Sequence, residues 1–308
     1  MRLNQQTPSR KLRTMLVLFL GLVFSVPSFA RSVQIIAAEN FYGAVAKAIG
    51  GDNVEVKSIL SRPDQDPHLF EVTPRTVQGL NQADLIVYNG LGYDTWMKRL
   101  LEARDHRRST TVVCMGTLLG KKEGDNPHIW YDVNTMSVYA TVLKDVLSKQ
   151  DPVHQSSYQA NYRVFMQGQQ QLEEKIQQLK KRLSGVNVIA TEPVFGEMAK
   201  ALGLIMHGQD FQISVMNGID PTPRQVADFR TQLSQGQIAI LFYNMQVSSP
   251  LVSQLLTLAK QHSIQIIGVT ETQPQNQTYQ TWMRSILEQL LNFSEKDKLL
   301  SAAHSSTK

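Results

Sequence analysis

The sequence predicts an α/β protein of two lobes, each a parallel β-sheet flanked by helices, linked by one long rigid α-helix. Short and almost continuously apolar segments alternate with helical patterns in the first half of the chain, and the alternation returns after residue 185. Such strands are typical of parallel sheets that helices cover on both faces. Between the two blocks, residues 152–184 repeat apolar side chains at helical spacing. The length of 308 residues also suits two domains.

Residues 1–30 have the features of a secretory signal peptide. Basic residues come first, followed by the apolar run MLVLFLGLVF, which is too short for a permanent membrane span, and by the small residues Ser28 and Ala30. The pattern predicts export and cleavage after Ala30, and it disfavours a retained membrane anchor. Because no cysteine lies near that position, we expect a periplasmic protein that is not a lipoprotein.

The charge balance argues against a nucleic-acid partner. The chain has 31 Lys and Arg against 26 Asp and Glu, and four of the basic residues lie in the predicted signal peptide. The remainder is almost neutral and has no basic excess to attract nucleic acid. The one cysteine, Cys114, cannot form an internal disulfide and is expected to be a small buried side chain.

The N-terminal α/β lobe is predicted over residues 31–151. Its expected strands are VQIIAA, VEVKSIL, DLIVYN and TVVC, at residues 33–38, 54–60, 84–89 and 111–114. The expected helices lie between them, in FYGAVAKAIGG, TPRTVQGLNQ and YDTWMKRLLEAR. Thr73 with Pro74 suits the start of one helix, and Asp132 suits the cap of another that runs to Lys149.

Residues 152–184 are predicted to form the linking helix. Its apolar stripe consists of Tyr158, Tyr162, Phe165, Leu172, Ile176, Leu179 and Leu183. Asp151 and Pro152 suit its start, and Gly185 suits its end. Such a helix is about 45 Å long, so we expect a stiff connection between the lobes. A helix packed inside one lobe is the alternative.

The C-terminal α/β lobe, with a polar tail, is predicted over residues 185–308. Its expected strands are VNVIAT, FQISV, QIAILFY and IQIIGVT, at residues 186–191, 211–215, 237–243 and 264–270. The expected helices lie in FGEMAKALG, TPRQVADFRTQLSQ and PLVSQLLTLAKQH.

Four candidate metal ligands follow predicted strands, two in each lobe. In parallel sheets, ligands bind beyond the carboxyl ends of the strands. His68 in DPHLFEVTPRTV and His128 in NPHIWYDV each stand behind a proline, while Glu192 and Glu271 come directly after strands. Two imidazoles and two carboxylates could neutralise and bind a dication. The alternative for each histidine is a loop side chain that faces solvent. The alternative for each glutamate is a helix cap.

Three further polar residues are candidates for supporting these ligands. Glu39 and Asn40 follow the first strand, and they are expected to hydrogen-bond to ligands or cap a helix, with direct contact to the ion as the lesser alternative. Asp66 is a candidate acceptor for a histidine N–H. The remaining histidines are expected to be solvated; they are His106, His154, His207, His262 and His304.

The segments DPHLFEVTPRTVQGLNQADLIVYNGLGYDTWMKRLLE and NPHIWYDVNTMSVYATVLKDVLSKQDP resemble the substrate-binding proteins of zinc and manganese ABC importers. The resemblance covers residues 33 to about 292 and implies a metal site in the cleft between the lobes. It implies that His68 and His128 bind the metal. Glu192 matches a third ligand that is usually His in zinc binders and Glu in many manganese binders, and Glu271 matches a position that is usually Asp.

The resemblance implies one divalent transition-metal ion per chain. It leaves the identity of that ion open between zinc and manganese. Glu271 is one methylene longer than the usual Asp, and the segment GTLLGKKEGDNPHIW lacks the histidine-rich loop common in periplasmic zinc binders. The absent loop and the carboxylate at Glu192 favour a harder cation such as manganese, whereas zinc outranks manganese at most sites.

The resemblance implies a receptor that delivers the ion to an ABC permease and its ATPase in the inner membrane, acting as a monomer and not as an enzyme. A secreted metal-dependent hydrolase using the same residues is the alternative, and it requires an open position for water at the metal. The sequence has no HExxH or GxSxG motif. A surface adhesin is a third possibility, but it would need an anchor.

Overall fold

The computed structural model describes residues 31–62, 70 and 72–305, with side chains described as far as residue 295. The predicted signal peptide, and with it the cleavage after Ala30, lies outside the described residues, as do Asp66 and His68. From Ser32 onward the chain forms one compact unit, so the lobe boundaries proposed from the sequence stay predictions. No helix of the described part is long and apolar enough to cross a membrane.

The first sheet has four parallel strands in the order β2-β1-β3-β4. The strands are β1 (Val33–Glu39), β2 (Val54–Leu60), β3 (Leu85–Tyr88) and β4 (Thr111–Cys114). The helices of this part are α1 (Asn40–Gly50), α2 (Pro74–Gln82), α3 (Thr95–Ala103), α4 (Met115–Leu118) and α5 (Val133–Gln150). The predicted helix caps form, because Thr73 accepts from the backbone N–H of Thr76 and Asp132 from that of Asn134.

The second sheet repeats this order as β6-β5-β7-β8, again all parallel. Its strands are β5 (Asn187–Ala190), β6 (Ile205–His207), β7 (Ile240–Asn244) and β8 (Gln265–Val269). Its helices are α7 (Gly196–Ala201), α8 (Gln209–Met216), α9 (Pro223–Ser234), α10 (Pro250–Gln261) and α11 (Tyr279–Ser305). In both sheets the first and third strands of the block are neighbours, and the second and fourth strands lie on opposite sides of this pair. Such a topological switch point is where α/β sheets bind ligands. The predicted α/β fold is therefore confirmed.

One predicted strand is wrong. FQISV lies in helix α8, and the strand of this region is the short edge strand β6. A segment of five residues with apolar side chains at every second position does not distinguish a strand from the buried face of a short helix. Gly208, at φ 72°, ends the strand and begins the helix, and the side chain of Gln212 donates to the carbonyl of His207 across that turn.

The linking helix α6 spans Gln155–Leu183 and follows a 3-10 turn at Pro152–His154. Its predicted apolar stripe is buried, apart from the half-buried Tyr162. Asp151 is the N-cap residue of that turn with Pro152 directly behind it, as predicted, but its carboxylate accepts from the side chains of His154 and Tyr158 and makes no cap hydrogen bond. The first half of the helix bonds to helix α1 through Asn161, and its second half pairs with helix α11 through Lys175 and Glu288.

The largest hydrophobic core runs through both sheet regions. An aromatic chain lies at its centre, with Phe41 stacked on Trp130 at 4.6 Å between ring centroids and Tyr131 against Phe195 at 5.5 Å. Phe195 stacks in turn on Phe242 of strand β7 at 4.4 Å. Two smaller cores fill the other faces of the sheets.

Candidate metal site

His128 is fully buried and is oriented by Asn126. The backbone N–H and the ring Nδ1 of His128 both donate to Asn126 Oδ1, at 3.0 and 2.8 Å. Asn126 Nδ2 donates to the carbonyl of Pro193 at 2.9 Å, which ties this loop to the segment next to Glu192. An imidazole with its proton on Nδ1 has its basic lone pair on Nε2, an arrangement that suits a metal ligand.

Glu192 and Glu271 come together at the carboxyl edge of the second sheet. Glu192 follows β5, Glu271 follows β8, and β7 lies between these two strands. Asn244, the last residue of β7, donates from Nδ2 to Glu271 Oε1 at 2.7 Å and to Glu192 Oε2 at 3.3 Å. The order of the sheet therefore places one neutral amide between two buried carboxylates.

Tyr93 connects the histidine to the second carboxylate. Its hydroxyl donates to Glu271 Oε2 at 2.9 Å, and its ring lies edge-on to His128 at 5.9 Å between centroids. The loop before it is tight: Gly90 and Gly92 have φ of 76° and 78°, values that suit glycine. Asp94 closes this turn by accepting from the N–H groups of Asn89 and Gly90 at 2.7 and 2.8 Å.

The segment that carries Glu271 is held from both sides. Gln246 Oε1 accepts from the N–H groups of Glu271 and Thr272, at 2.6 and 3.0 Å. From the first sheet region, the Tyr131 hydroxyl donates to the carbonyl of Thr270 at 2.8 Å. Asn40 pairs with the backbone of Gln273, donating to its carbonyl at 2.8 Å and accepting from its N–H at 3.0 Å.

Two further buried acids lie behind this site in the first sheet region. Burial raises the pKa of Asp94 to about 6, although hydrogen bonds from backbone N–H groups, foremost those of Gly90 and Asn89, oppose the rise. Burial, and then the negative charge of Asp94, raises the pKa of Glu39 well above its ordinary value. Glu39 therefore holds a proton more tightly in the folded chain than in the unfolded chain.

Among the predicted ligands, the structure brings Glu192 and Glu271 together around Asn244 and places His128 across Tyr93 from Glu271. Among the side chains that the structure describes, no three His, Cys, Asp or Glu are grouped closely enough to hold a metal ion. His68 lies outside those residues, so the four-ligand site stays a prediction.

Asn244 and Tyr93 were not predicted from the sequence. Asn244 stands at the end of a strand, where the rule that selected Glu192 and Glu271 would also have found it. Tyr93 lies within a predicted helix segment, four residues beyond Asn89, the last residue of the predicted strand, so that rule would not have selected it.

A family model described as "Zinc-uptake complex component A periplasmic" matches residues 35–293. The manganese ABC transporter substrate-binding lipoprotein PsaA of Streptococcus pneumoniae is 24% identical over 282 residues, covering 84% of this chain and 89% of the relative. The metal ABC transporter substrate-binding lipoprotein FimA of Streptococcus parasanguinis is 24% identical over 279 residues, covering 83% and 88%. The solved periplasmic zinc binding protein TroA from Treponema pallidum has a similar fold, with a TM-score of 0.72, 20% identity and coverage of 85% and 99%.

These relatives contradict the predicted localisation. We expected a periplasmic protein that is not a lipoprotein, whereas both curated relatives are named as lipoproteins. The expectation depended on the absence of a cysteine near Ala30, and that cleavage position was inferred only from small residues outside the described part of the chain.

Proposed function

The chain belongs to the family of zinc-uptake complex component A, and from that premise we propose that it captures one divalent metal ion, zinc or manganese, and delivers it to the permease of an ABC importer. The observation that carries this proposal is the convergence of Glu192 and Glu271, buried and from separate loops, on the amide of Asn244. Two buried carboxylates with a histidine nearby attract a dication.

The proposed ligands are His68, His128, Glu192 and Glu271. The two carboxylates offset the charge of the ion, and the neutral imidazoles add nitrogen donors. The orientation of His128 by Asn126 supports its place in this set. Glu39 and Asn40 are proposed to support the ligands without touching the ion, because Asn40 holds the segment that carries Glu271.

Binding, and not catalysis, is the proposed use of the site. Four protein ligands close the coordination of zinc and exclude the bound water that a hydrolase needs. Family membership also favours a transport role over the hydrolase alternative. We propose that the protein acts as a monomer whose lobes, residues 31–151 and 185–308, are joined by residues 152–184, and that it works with the permease and its ATPase.

Metal analysis of the purified protein tests this function. We expect one bound ion per chain. His128→Ala and Glu192→Gln should each lower the affinity by more than about 100-fold, since loss of a residue that only supports a ligand typically costs 10–100-fold. His262→Ala removes an exposed histidine and should leave the affinity unchanged. Unaltered metal content in both site variants would overturn the proposal.

A further inference from the structure

We infer that Tyr93 sets the ion preference of the site: its hydroxyl holds one oxygen of Glu271, so that this carboxylate offers a single oxygen to the ion and zinc is favoured over manganese. The inference rests on the proposed metal capture and deepens it, because it names the residue that discriminates between the two candidate ions.

Both oxygens of Glu271 accept hydrogen bonds from neutral donors. Tyr93 reaches Oε2 at 2.9 Å, and Asn244 reaches Oε1 at 2.7 Å. All three side chains are buried, with exposed fractions of 1% for Tyr93, 2% for Asn244 and 4% for Glu271. Turning the carboxylate so that both oxygens face an ion would break the bond to Tyr93, and at these buried side chains the lost partner is not replaced by solvent.

Tyr93 cannot follow the carboxylate. The centroid of its ring lies 4.9 Å from that of Trp130 and 5.9 Å from that of His128, and Asp94 closes its loop through hydrogen bonds to the backbone. Tyr93 also belongs to the first sheet region and Glu271 to the second, so the bond fixes the carboxylate against a separate part of the molecule. Asn244 differs, since it lies on the strand next to Glu271 and belongs to the same sheet.

The two ions respond differently to this restraint. Zinc is satisfied by four ligands in a tetrahedron, with one atom from each side chain. Manganese prefers octahedral, oxygen-rich coordination. Beyond four protein ligands, a fifth or sixth contact comes either from water or from a carboxylate that binds through both oxygens, and in a site lined by buried side chains the carboxylate is the nearer source. A hydrogen bond that holds Glu271 to one oxygen therefore lowers the affinity for manganese more than the affinity for zinc.

The test compares Tyr93→Phe with the unaltered protein, each stripped of metal and titrated with zinc and with manganese. Phenylalanine keeps the ring packing and removes only the hydroxyl. We expect the affinity for manganese relative to zinc to rise by about tenfold, the value of one buried hydrogen bond. The matched control is Tyr279→Phe, which removes a buried tyrosine hydroxyl bonded to the carbonyl of Trp130 at 2.7 Å and should leave the ratio unchanged.

A second measurement separates this role from a general loss of structure. The visible absorption of the cobalt-loaded protein reports coordination number, and four-coordinate sites absorb more strongly than five- or six-coordinate ones. We expect Tyr93→Phe to weaken these bands and Tyr279→Phe to leave them unaltered. If the unaltered protein binds neither zinc nor manganese, the proposed function fails and the inference with it. If it binds both, but Tyr93→Phe and Tyr279→Phe give the same ratio and the same spectrum, the inference alone is overturned.

Discussion

Asn244 explains how two carboxylates lie together in a buried place before an ion arrives. Two adjacent negative charges raise each other's free energy and favour protonation, which competes with metal binding. The Nδ2 group of Asn244 donates to both Glu192 and Glu271, so it stabilises their charged forms and fixes their positions. In the proposed metal site, this amide would therefore hold the two carboxylates in place for a cation.

Replacing Asn244 with leucine should therefore weaken metal binding. We expect a 10–100-fold loss of affinity, typical for residues that support metal ligands. Competition titration with a chelator measures the affinity. Asn187→Leu is the control: it removes an amide that bonds to His207 at the start of strand β5, and it should leave the affinity unchanged.

Glu39 should make the stability of the metal-free protein depend on pH. Its folded pKa is raised above the ordinary value of 4.5, so above that value the unfolded chain loses the proton first. The free energy of unfolding should fall as pH rises through this window, by up to about 1.4 kcal/mol per pH unit. In Glu39→Gln, urea unfolding should show a free energy of unfolding that depends less on pH.

Glu173→Gln, on the exposed face of helix α6, is the control and should keep the original dependence of the free energy of unfolding on pH. An unaltered dependence in Glu39→Gln would contradict this account.

At the scale of elements, the segment between β8 and α11 joins the two sheet regions. It follows a strand of the second sheet, yet Tyr131 and Asn40 of the first sheet region bond to its backbone. Because Glu271 lies on this segment, its position depends on both halves of the molecule. If Glu271 binds the ion as proposed, we expect release of the ion to require these bonds to loosen.

Asn40→Ala tests that role. Loss of two hydrogen bonds to Gln273 should raise the dissociation rate of the ion by about tenfold, since a net loss of 1.4 kcal/mol corresponds to that factor. Stopped-flow mixing of the loaded protein with excess chelator measures the rate. Asn161→Ala removes a bond to the carbonyl of Ile49 on the far end of helix α1 and should not change it. Equal rates in Asn40→Ala and the unaltered protein would show that the segment is held by other contacts.

The strands and helices could be predicted where local pattern decides the outcome. Strand β1 is rich in apolar residues, strand β2 alternates Val54 and Val56 with charged residues, and helices α2 and α9 have a threonine cap followed by proline. The strand prediction for the segment FQISV was wrong because both a strand and a helix can bury its apolar side chains. The bond between Tyr93 and Glu271 was beyond prediction, since it joins residues far apart in the chain through the packing of two sheets.

At the scale of the whole molecule, each of the two sheets has one switch point, and the two switch points face each other. The first supplies Glu39 and the loop of Tyr93, and the second supplies Glu192 and Asn244. The shared core and the long helix α6 bind the two regions together. Such a frame suits a receptor that retains its shape and exchanges its ion through local changes in the ligand loops.

A crystal structure of the zinc-loaded protein, with anomalous data at the zinc edge, tests the central claim most directly. We predict one anomalous peak, about 2.0–2.2 Å from a ring nitrogen of His128 and from carboxylate oxygens of Glu192 and Glu271, with His68 as the fourth ligand. A peak held by other residues, or zinc-soaked crystals with no peak between the two sheets, would contradict the account.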